Sequence, residues 1–153
     1  MSDEQTGDAG ATGGTSSPEG AIGGWAHMGG DHLRLFALRG ATTAGENTEE
    51  AIIGATSELV QEVLARNELG PEGLVSCIFT STPDLDAQFP AVAARLLGLD
   101  RVPLLCAQEI AVSGSLARTI RILLHYYAPV GHKPAHVYLR EATVLRTDLS
   151  AAQ

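Results

Sequence analysis

Apolar and polar positions follow two rhythms along this chain, and their order predicts a layered domain. Leu33 to Leu38 forms a short apolar strand ending at Arg39-Gly40, where a strand can hand a charged side chain to a site. Asn47-Thr48-Glu49-Glu50 fits a capping box with Asn47 as N-cap and Glu50 three residues on. The helix after it carries Ile52, Ile53, Thr56, Leu59, Val60, Val63 and Leu64, a stripe of 3.6-residue period, and Gly70-Pro71 stops it. Leu74 to Thr80 is a second strand, rich in β-branched and aromatic residues, broken by Ser81-Thr82-Pro83-Asp84. Phe89-Pro90 leads into a short helix, Ala91 to Leu97, ended by Gly98. Val102 to Cys106 is a third strand. Ser113-Gly114 opens a predicted long helix to about Tyr127, with Leu116, Ile120, Leu123 and Tyr127 on one face and Arg121 on its surface. His136 to Arg140 is a fourth strand, and Thr143 to Leu145 extends it or pairs with it. Such alternation predicts an α+β or layered α/β domain with helices on one side of a mixed sheet.

Composition sets the boundaries of that domain. Residues 1–30 hold nine glycines, four acidic residues and no Lys or Arg. Such a segment buries too little apolar surface to offset its ordering entropy, so it is expected to be a flexible acidic tail ahead of a domain spanning 31–153. The chain of 153 residues has 10 basic and 18 acidic residues, net −8. Removing the tail's four acids leaves 10 against 14, net −4. A mildly acidic body lacks the basic stripe of a nucleic-acid surface, but a local arginine cluster can still reverse the potential in one cleft. The sequence offers no apolar run long enough to cross a membrane and no secretory or transit signal, so the expected location is the cytoplasm. Cys77 and Cys106 are too few for a disulfide framework.

The candidate chemistry is a set of charges without a nucleophile–base pair. Arg39, Arg121 and Arg146 each offer a planar fork of donors suited to carboxylates. Any one of them, taken alone, reads first as a solvated or salt-bridged arginine. Glu109 follows the third strand and could accept from a ligand hydroxyl or simply pair with Arg118 or Arg121. Cys106 is by default a packed small hydrophobe. Tyr138 faces opposite to Val137 and Leu139, toward either a core or a cleft. His132 and His136, four apart, are a weak metal signal, and no metal is expected. The glycines form no dinucleotide or phosphate-binding loop, and Ser81 and Ser113 lack the turn of a serine hydrolase. Together the set suits a small dianion bearing a hydroxyl.

Ten short stretches in order carry a family resemblance. They are Arg39-Gly40-Ala41-Thr42-Thr43, Asn47-Thr48-Glu49-Glu50, Thr80 to Leu85, Phe89-Pro90-Ala91, Val102-Pro103, Cys106-Ala107-Gln108-Glu109, Gly114-Ser115-Leu116, Ile120-Arg121, His136 to Leu139 and Val144 to Leu149. From Leu33 to Ser150 the chain resembles the monofunctional AroH class of chorismate mutase. That resemblance implies the Claisen rearrangement of chorismate to prephenate, at the branch toward phenylalanine and tyrosine, without a cofactor or covalent intermediate. It implies an α+β subunit, three of which form a pseudo-α/β barrel with active sites at the subunit interfaces. It also implies residue roles. Arg121 donates to the ether oxygen as the C–O bond breaks. Arg39 and Tyr138 hold a carboxylate. Glu109 and the main chain of Leu105, Cys106, Ala107 and Gln108 hold the ring hydroxyl. Arg146 closes over the site, and Phe89, Ala91, Arg95 and Leu145 line it. The chain departs from the family at Val92, where a lysine is expected near the site mouth, and at Leu105, where threonine is common. Two alternatives stand beside it: an imine deaminase of the RidA type, against which the Cys106–Glu109 and Tyr138–Arg146 clusters argue, and a non-catalytic module that senses an anionic metabolite.

Overall fold

The computed structural model describes residues 32–146. The segment 1–30, expected as a tail, and the Thr147–Ser150 end of the family-like stretch lie outside the described residues. Five strands form one sheet: β1 (Leu33–Thr43), β2 (Leu74–Ser81), β3 (Leu104–Gln108), β4 (Thr119–Pro129) and β5 (Val137–Tyr138). Helix α1 (Glu49–Arg66) connects β1 to β2, and the short α2 (Ala91–Leu96) lies between β2 and β3. The strand order is β3-β2-β4-β1-β5. β4 runs antiparallel to both β1 and β2, while β2–β3 and β1–β5 are parallel, so the sheet is mixed as expected.

The predicted helix from Ser113 to Tyr127 is not there. Thr119 to Pro129 is the central strand β4, and Arg121 therefore sits on a strand. The pattern explains the difference. Ile120, Ile122, Leu124, Tyr126 and Ala128 are buried, and the residues between them are not, which is a period of two. The stripe through Leu116, Ile120, Leu123 and Tyr127 mixed both faces of that strand. Residues such as Thr, Ile and Tyr, abundant here, favour a pleated surface. The fourth strand shortens to Val137–Tyr138, and Thr143–Leu145 falls in a 3-10 segment, Arg140–Arg146. That segment is anchored by Arg140, whose guanidinium donates to Glu58 Oε2 at 2.6 and 3.0 Å and to the Thr43 carbonyl at 3.1 Å.

Both helices pack on one face. Leu59, Val60 and Val63 of α1, with Ala91 and Ala94 of α2, meet Leu38, Cys77, Phe79, Ile122, Leu124 and Tyr126 of the sheet. Gly40 permits this approach inside β1, because a Cβ there would lie 2.8 Å from Ile122 Cγ2 and 3.1 Å from Leu59 Cδ1. The N-cap of α1 is Thr48 rather than Asn47: Thr48 Oγ1 accepts from the Ala51 N–H at 3.2 Å. Asn47 instead ties the helix start to the next loop, its Oδ1 accepting from the N–H groups of Asp86 and Ala87, both at 3.1 Å. The opposite face of the sheet carries neither α1 nor α2. Leu35, Tyr127 and Leu105 on it are 49, 43 and 60 % exposed.

The entry to β4 is gripped from the β2 end. Thr119 N–H donates to Thr82 Oγ1 at 2.9 Å, and Arg118 N–H donates to Asp84 Oδ2 at 2.8 Å. These bonds hold Arg118 at φ 46°, the left-handed region that a side chain seldom adopts. Partial burial pulls the Asp84 carboxyl pKa up, but the Thr82 hydroxyl, the Arg118 N–H and the Arg118 charge outweigh it, and the net shift is downward.

Thr42, opposite Ile120 in the β1–β4 register, is fully buried, and its hydroxyl has no hydrogen-bond partner among the described residues. Removing a buried unpartnered hydroxyl relieves its desolvation cost. Thr42→Val is expected to stabilise the fold by about 1 kcal/mol, read as a raised denaturation midpoint at unchanged slope.

Candidate functional site

The open face of the sheet positions the charged set. Arg39 and Ala41 on β1, Ile78 and Thr80 on β2, and Arg121 and Leu123 on β4 share it, because the registers pair Ala41 with Arg121, Arg39 with Leu123 and Thr80 with Arg121. Tyr138 joins them through its pairing with Ala41. Together with Gly40, Ile122 and Leu145 they line a cavity of about 350 Å³. Glu109 reaches the same face from the end of β3, where its N–H continues the ladder to the Ser81 carbonyl at 2.9 Å. Its Oε1 forms an ion pair with Arg121 Nε at 3.1 Å and accepts from the Thr80 hydroxyl at 2.6 Å. Arg121 keeps 44 % of its side chain exposed and Glu109 16 %, so the pair faces the opening of the cleft rather than the core.

The cavity has two kinds of wall. Ala41, Ile78, Leu123 and Leu145 are apolar, and Arg39, Arg121, Thr80 and Tyr138 are polar. Its size matches pockets for small organic ligands. Two guanidiniums on neighbouring strands make it an anion site inside an acidic chain, and a half-excluded cleft strengthens their field.

His136, at the edge of β5, accepts the Arg39 N–H on Nδ1 at 3.0 Å. A ring nitrogen thus extends the two-residue β1–β5 pairing by one bond, next to the residue that hands its guanidinium to the cavity. Burial and the neighbouring Arg39 charge both lower the His136 pKa. His132 turns elsewhere, its Nε2 2.8 Å from the Tyr126 hydroxyl. The two histidines therefore serve separate contacts. No group of three His, Cys, Asp or Glu suited to a metal occurs among the described residues.

The remaining expected site residues separate from this cavity. Phe89, Cys106, Ala107 and Gln108 line a second one, of about 340 Å³, with the loop from Pro83 to Gln88. Cys106 packs against the helix-side core, and Leu105 points from β3 to the open face. Arg95 is exposed on the last turn of α2 and lines neither cavity, and neither does Ala91, which is buried beneath α2. Arg146, exposed, is the last residue of the 3-10 segment and follows the cavity-lining Leu145. Burial and the neighbouring Cys106 push the Cys77 thiol up to about 12, so it stays protonated in the core. Sequence reasoning grouped Arg39, Glu109, Arg121, Tyr138 and Leu145; four of them line this cavity, and Glu109 pairs with Arg121 beside it. That reasoning missed Thr80, Ile78 and Leu123. Their signal was the alternation of β2 and β4, which shows once Arg121 is placed on a strand.

Residues 35–149 match the family model for chorismate mutase type I. Over 118 residues the chain is 49% identical to the chorismate mutase AroH of Thermus thermophilus, covering 76% of this chain and 97% of that protein. It is 42% identical over 120 residues to the chorismate mutase AroH of Bacillus subtilis, covering 77% and 94%. Among solved structures, a chorismate mutase from Clostridium thermocellum superposes with a TM-score of 0.68 at 43% identity, covering 71% of this chain and 98% of that one.

The His136 contact generates a pH signature. A depressed histidine pKa in the folded state means that the contribution is present in full above the unfolded value, about 6.5, and is lost as pH falls through the lower folded value. His136→Asn keeps an acceptor near the Nδ1 position and does not titrate in this range. The fall in melting temperature below pH 6.5 is expected to be shallower in that variant than in the parent, measured side by side in thermal melts.

Proposed function

The chain belongs to the chorismate mutase type I family, and from that premise we propose that it converts chorismate to prephenate in the cleft around Arg121. One observation carries the reading. A guanidinium tied to Glu109 lies on the same face as Arg39 and Tyr138, within a cavity that also offers an apolar wall.

The reaction asks for little else. Bond breaking and bond making occur in one cyclic rearrangement of six atoms, so no proton has to be transferred and no nucleophile is required. Two contributions remain. The first is confinement of the substrate in its compact conformer, which brings the reacting carbons together before the barrier. Arg39 and Tyr138 take a carboxylate, Glu109 takes the ring hydroxyl, and Ile78, Leu123 and Leu145 press on the carbon skeleton. The second is a fixed positive charge at the ether oxygen, which gains electron density as its bond to carbon lengthens. Arg121 supplies it, and arginine remains cationic throughout the working pH range. Glu109 keeps that guanidinium from swinging into solvent. Arg146 closes the site from the C-terminal side.

We also propose that the working unit is a homotrimer with its sites between subunits. The support is the division of the expected site residues between two cavities on one chain, one holding Arg39, Arg121 and Tyr138 and the other Phe89 and Cys106. A substrate contacting both sets needs the first cavity of one chain against the second of its neighbour. The uncovered sheet face, with Leu35, Leu105 and Tyr127 exposed, supplies an apolar surface for such an assembly. The free thiols of Cys77 and Cys106 fit a cytoplasmic setting.

Purified protein should deplete chorismate absorbance and yield prephenate. Arg121→Ala should lower kcat by about 10²–10³-fold or more, in line with the loss of one preorganised donor, and Arg121→Lys should recover part of it. Binding of chorismate without turnover by the parent would instead make the protein a sensor. Turnover that survives Arg121→Ala would remove Arg121 from its assigned role. Sedimentation should give three times the 16.0 kDa chain mass, and a monomer with full activity would sink the interfacial site.

A further inference from the structure

The two contacts to Glu109 end on the same oxygen. Arg121 Nε lies 3.1 Å from Oε1 in an ion pair, and the Thr80 hydroxyl donates a hydrogen bond to Oε1 at 2.6 Å. We propose that Thr80 is a positioning residue of this site: its hydroxyl locks the Glu109 carboxylate so that Oε1 anchors Arg121 while Oε2 is presented to the hydroxyl of the ligand. The proposal rests on the functional reading above and assigns work to a residue that reading leaves unused.

The geometry follows from three adjacent strands. Thr80 on β2 lies directly opposite Arg121 on β4 and opposite Ala107 on β3. Glu109 stands two residues beyond Ala107, on the same face. Side chains from two strands and from the residue just past the end of a third thus converge above one point of the sheet, and the methyl of Ala107 leaves the space between them open. The terminal torsion of a glutamate is soft and nearly two-fold, so a carboxylate held by a single donor exchanges its oxygens readily. A hydroxyl donating to the oxygen already paired with the guanidinium removes that freedom. Thr80 suits the task because its β-branched side chain is stiff at χ1 and its hydroxyl carries one proton to give. With that proton committed to Glu109, Oε1 is engaged by both the Thr80 hydroxyl and the Arg121 guanidinium. Thr80 also lines the cavity, so the lock lies within the cleft itself.

Loss of the hydroxyl should act on the transition state more than on substrate capture. Arg121 meets its full demand only as negative charge gathers on the ether oxygen, and a loosened Glu109 lets the guanidinium wander from that point. Thr80→Val keeps the shape and the strand preference and removes the donor. It is expected to lower kcat about tenfold, as for loss of a hydrogen bond to a charged group, with KM changed by less than about threefold. Thr80→Ser restores the donor and should return kcat to within about twofold of the parent. If Thr80 works through Glu109, its substitution should matter little once Glu109 is gone. Adding Thr80→Val to Glu109→Ala should therefore change kcat by less than about twofold, a non-additivity that a general packing role would not produce.

The experiment is steady-state chorismate turnover by parent, Thr80→Val, Thr80→Ser, Glu109→Ala and the Val/Ala double variant. Thermal melts of each supply the folded fraction, and Thr80→Ala replaces Thr80→Val should the latter not fold. The expected pattern is loss in Val, rescue in Ser and no further loss in the double variant. An active parent with Thr80→Val at parental kcat overturns the proposal and leaves the function intact. So does a tenfold further loss on the Glu109→Ala background, or a Ser variant as slow as Val. A parent that does not turn chorismate over overturns both.

Discussion

Two-sided pairing of β4 is the constraint on which the rest depends. The strand lies at the centre of the sheet, antiparallel to β1 on one side and β2 on the other. Alternate residues fill the core against α1 and α2, so the register is fixed by burial on that face. A slip of one residue would turn every side chain to the other face. Arg121 would then enter the apolar core unpaired, where desolvation of its charge is prohibitive, while Ile120 or Ile122 would emerge into the cleft. Packing on one side of the strand therefore places the charge on the other. The contacts at the strand entry, from Thr82 and Asp84 to Thr119 and Arg118, hold the same register from outside the core.

The link between Arg121 and Glu109 contributes placement more than stability. Both groups keep contact with solvent, and exposed pairs of this kind are worth roughly 0–1 kcal/mol. Their value lies in holding a guanidinium at one point on a pleated surface where its long stem would otherwise sample several rotamers. The global charge of the chain works against a dianion at long range, since the net value is −8. Screening limits that opposition to about 8–10 Å at ordinary ionic strength, whereas the two arginines act at contact distance. Local geometry wins because a bound anion would meet Arg39 and Arg121 before it meets the average of the chain.

Much of the fold was legible because its helix-side core obeys simple periods. The stripe of α1 from Ile52 to Val63 read correctly as a helix, and β2 read correctly from its run of β-branched and aromatic residues. β4 did not, since its exposed face carries Leu123 and Tyr127, which are apolar. With apolar side chains on both faces, alternation blurs into a run that a helical stripe also fits. The open face that hid the strand is the face that carries the proposed site. The same ambiguity concealed Thr80, which looks like ordinary strand filler until its neighbour across the ladder is known to be Arg121. The N-cap was displaced by one residue for a different reason. Asn47 and Thr48 are both competent caps, and the contest is decided by loop 86–87, which uses the Asn47 amide and is far away in sequence.

The two faces of the sheet also divide the labour between folding and function. On the helix side, large side chains such as Tyr126 and Phe79 are fully buried, and Gly40 is required for α1 to approach. On the open side, apolar groups are retained although they are exposed, at Leu35, Leu105 and Tyr127, and polar groups are arranged at Arg39, Thr80 and Arg121. A face devoted only to solubility would alternate to polar residues throughout. One devoted only to burial would not carry two guanidiniums. A mixed face suits a surface that is partly covered by another chain and partly left open to an anionic ligand. In the proposed trimer the cleft and the assembly would be a single design problem: the apolar residues meeting a neighbouring subunit would also exclude water from the arginines. Excluding water raises the strength of every charge contact inside the cleft, which is what a rearrangement driven by charge placement requires.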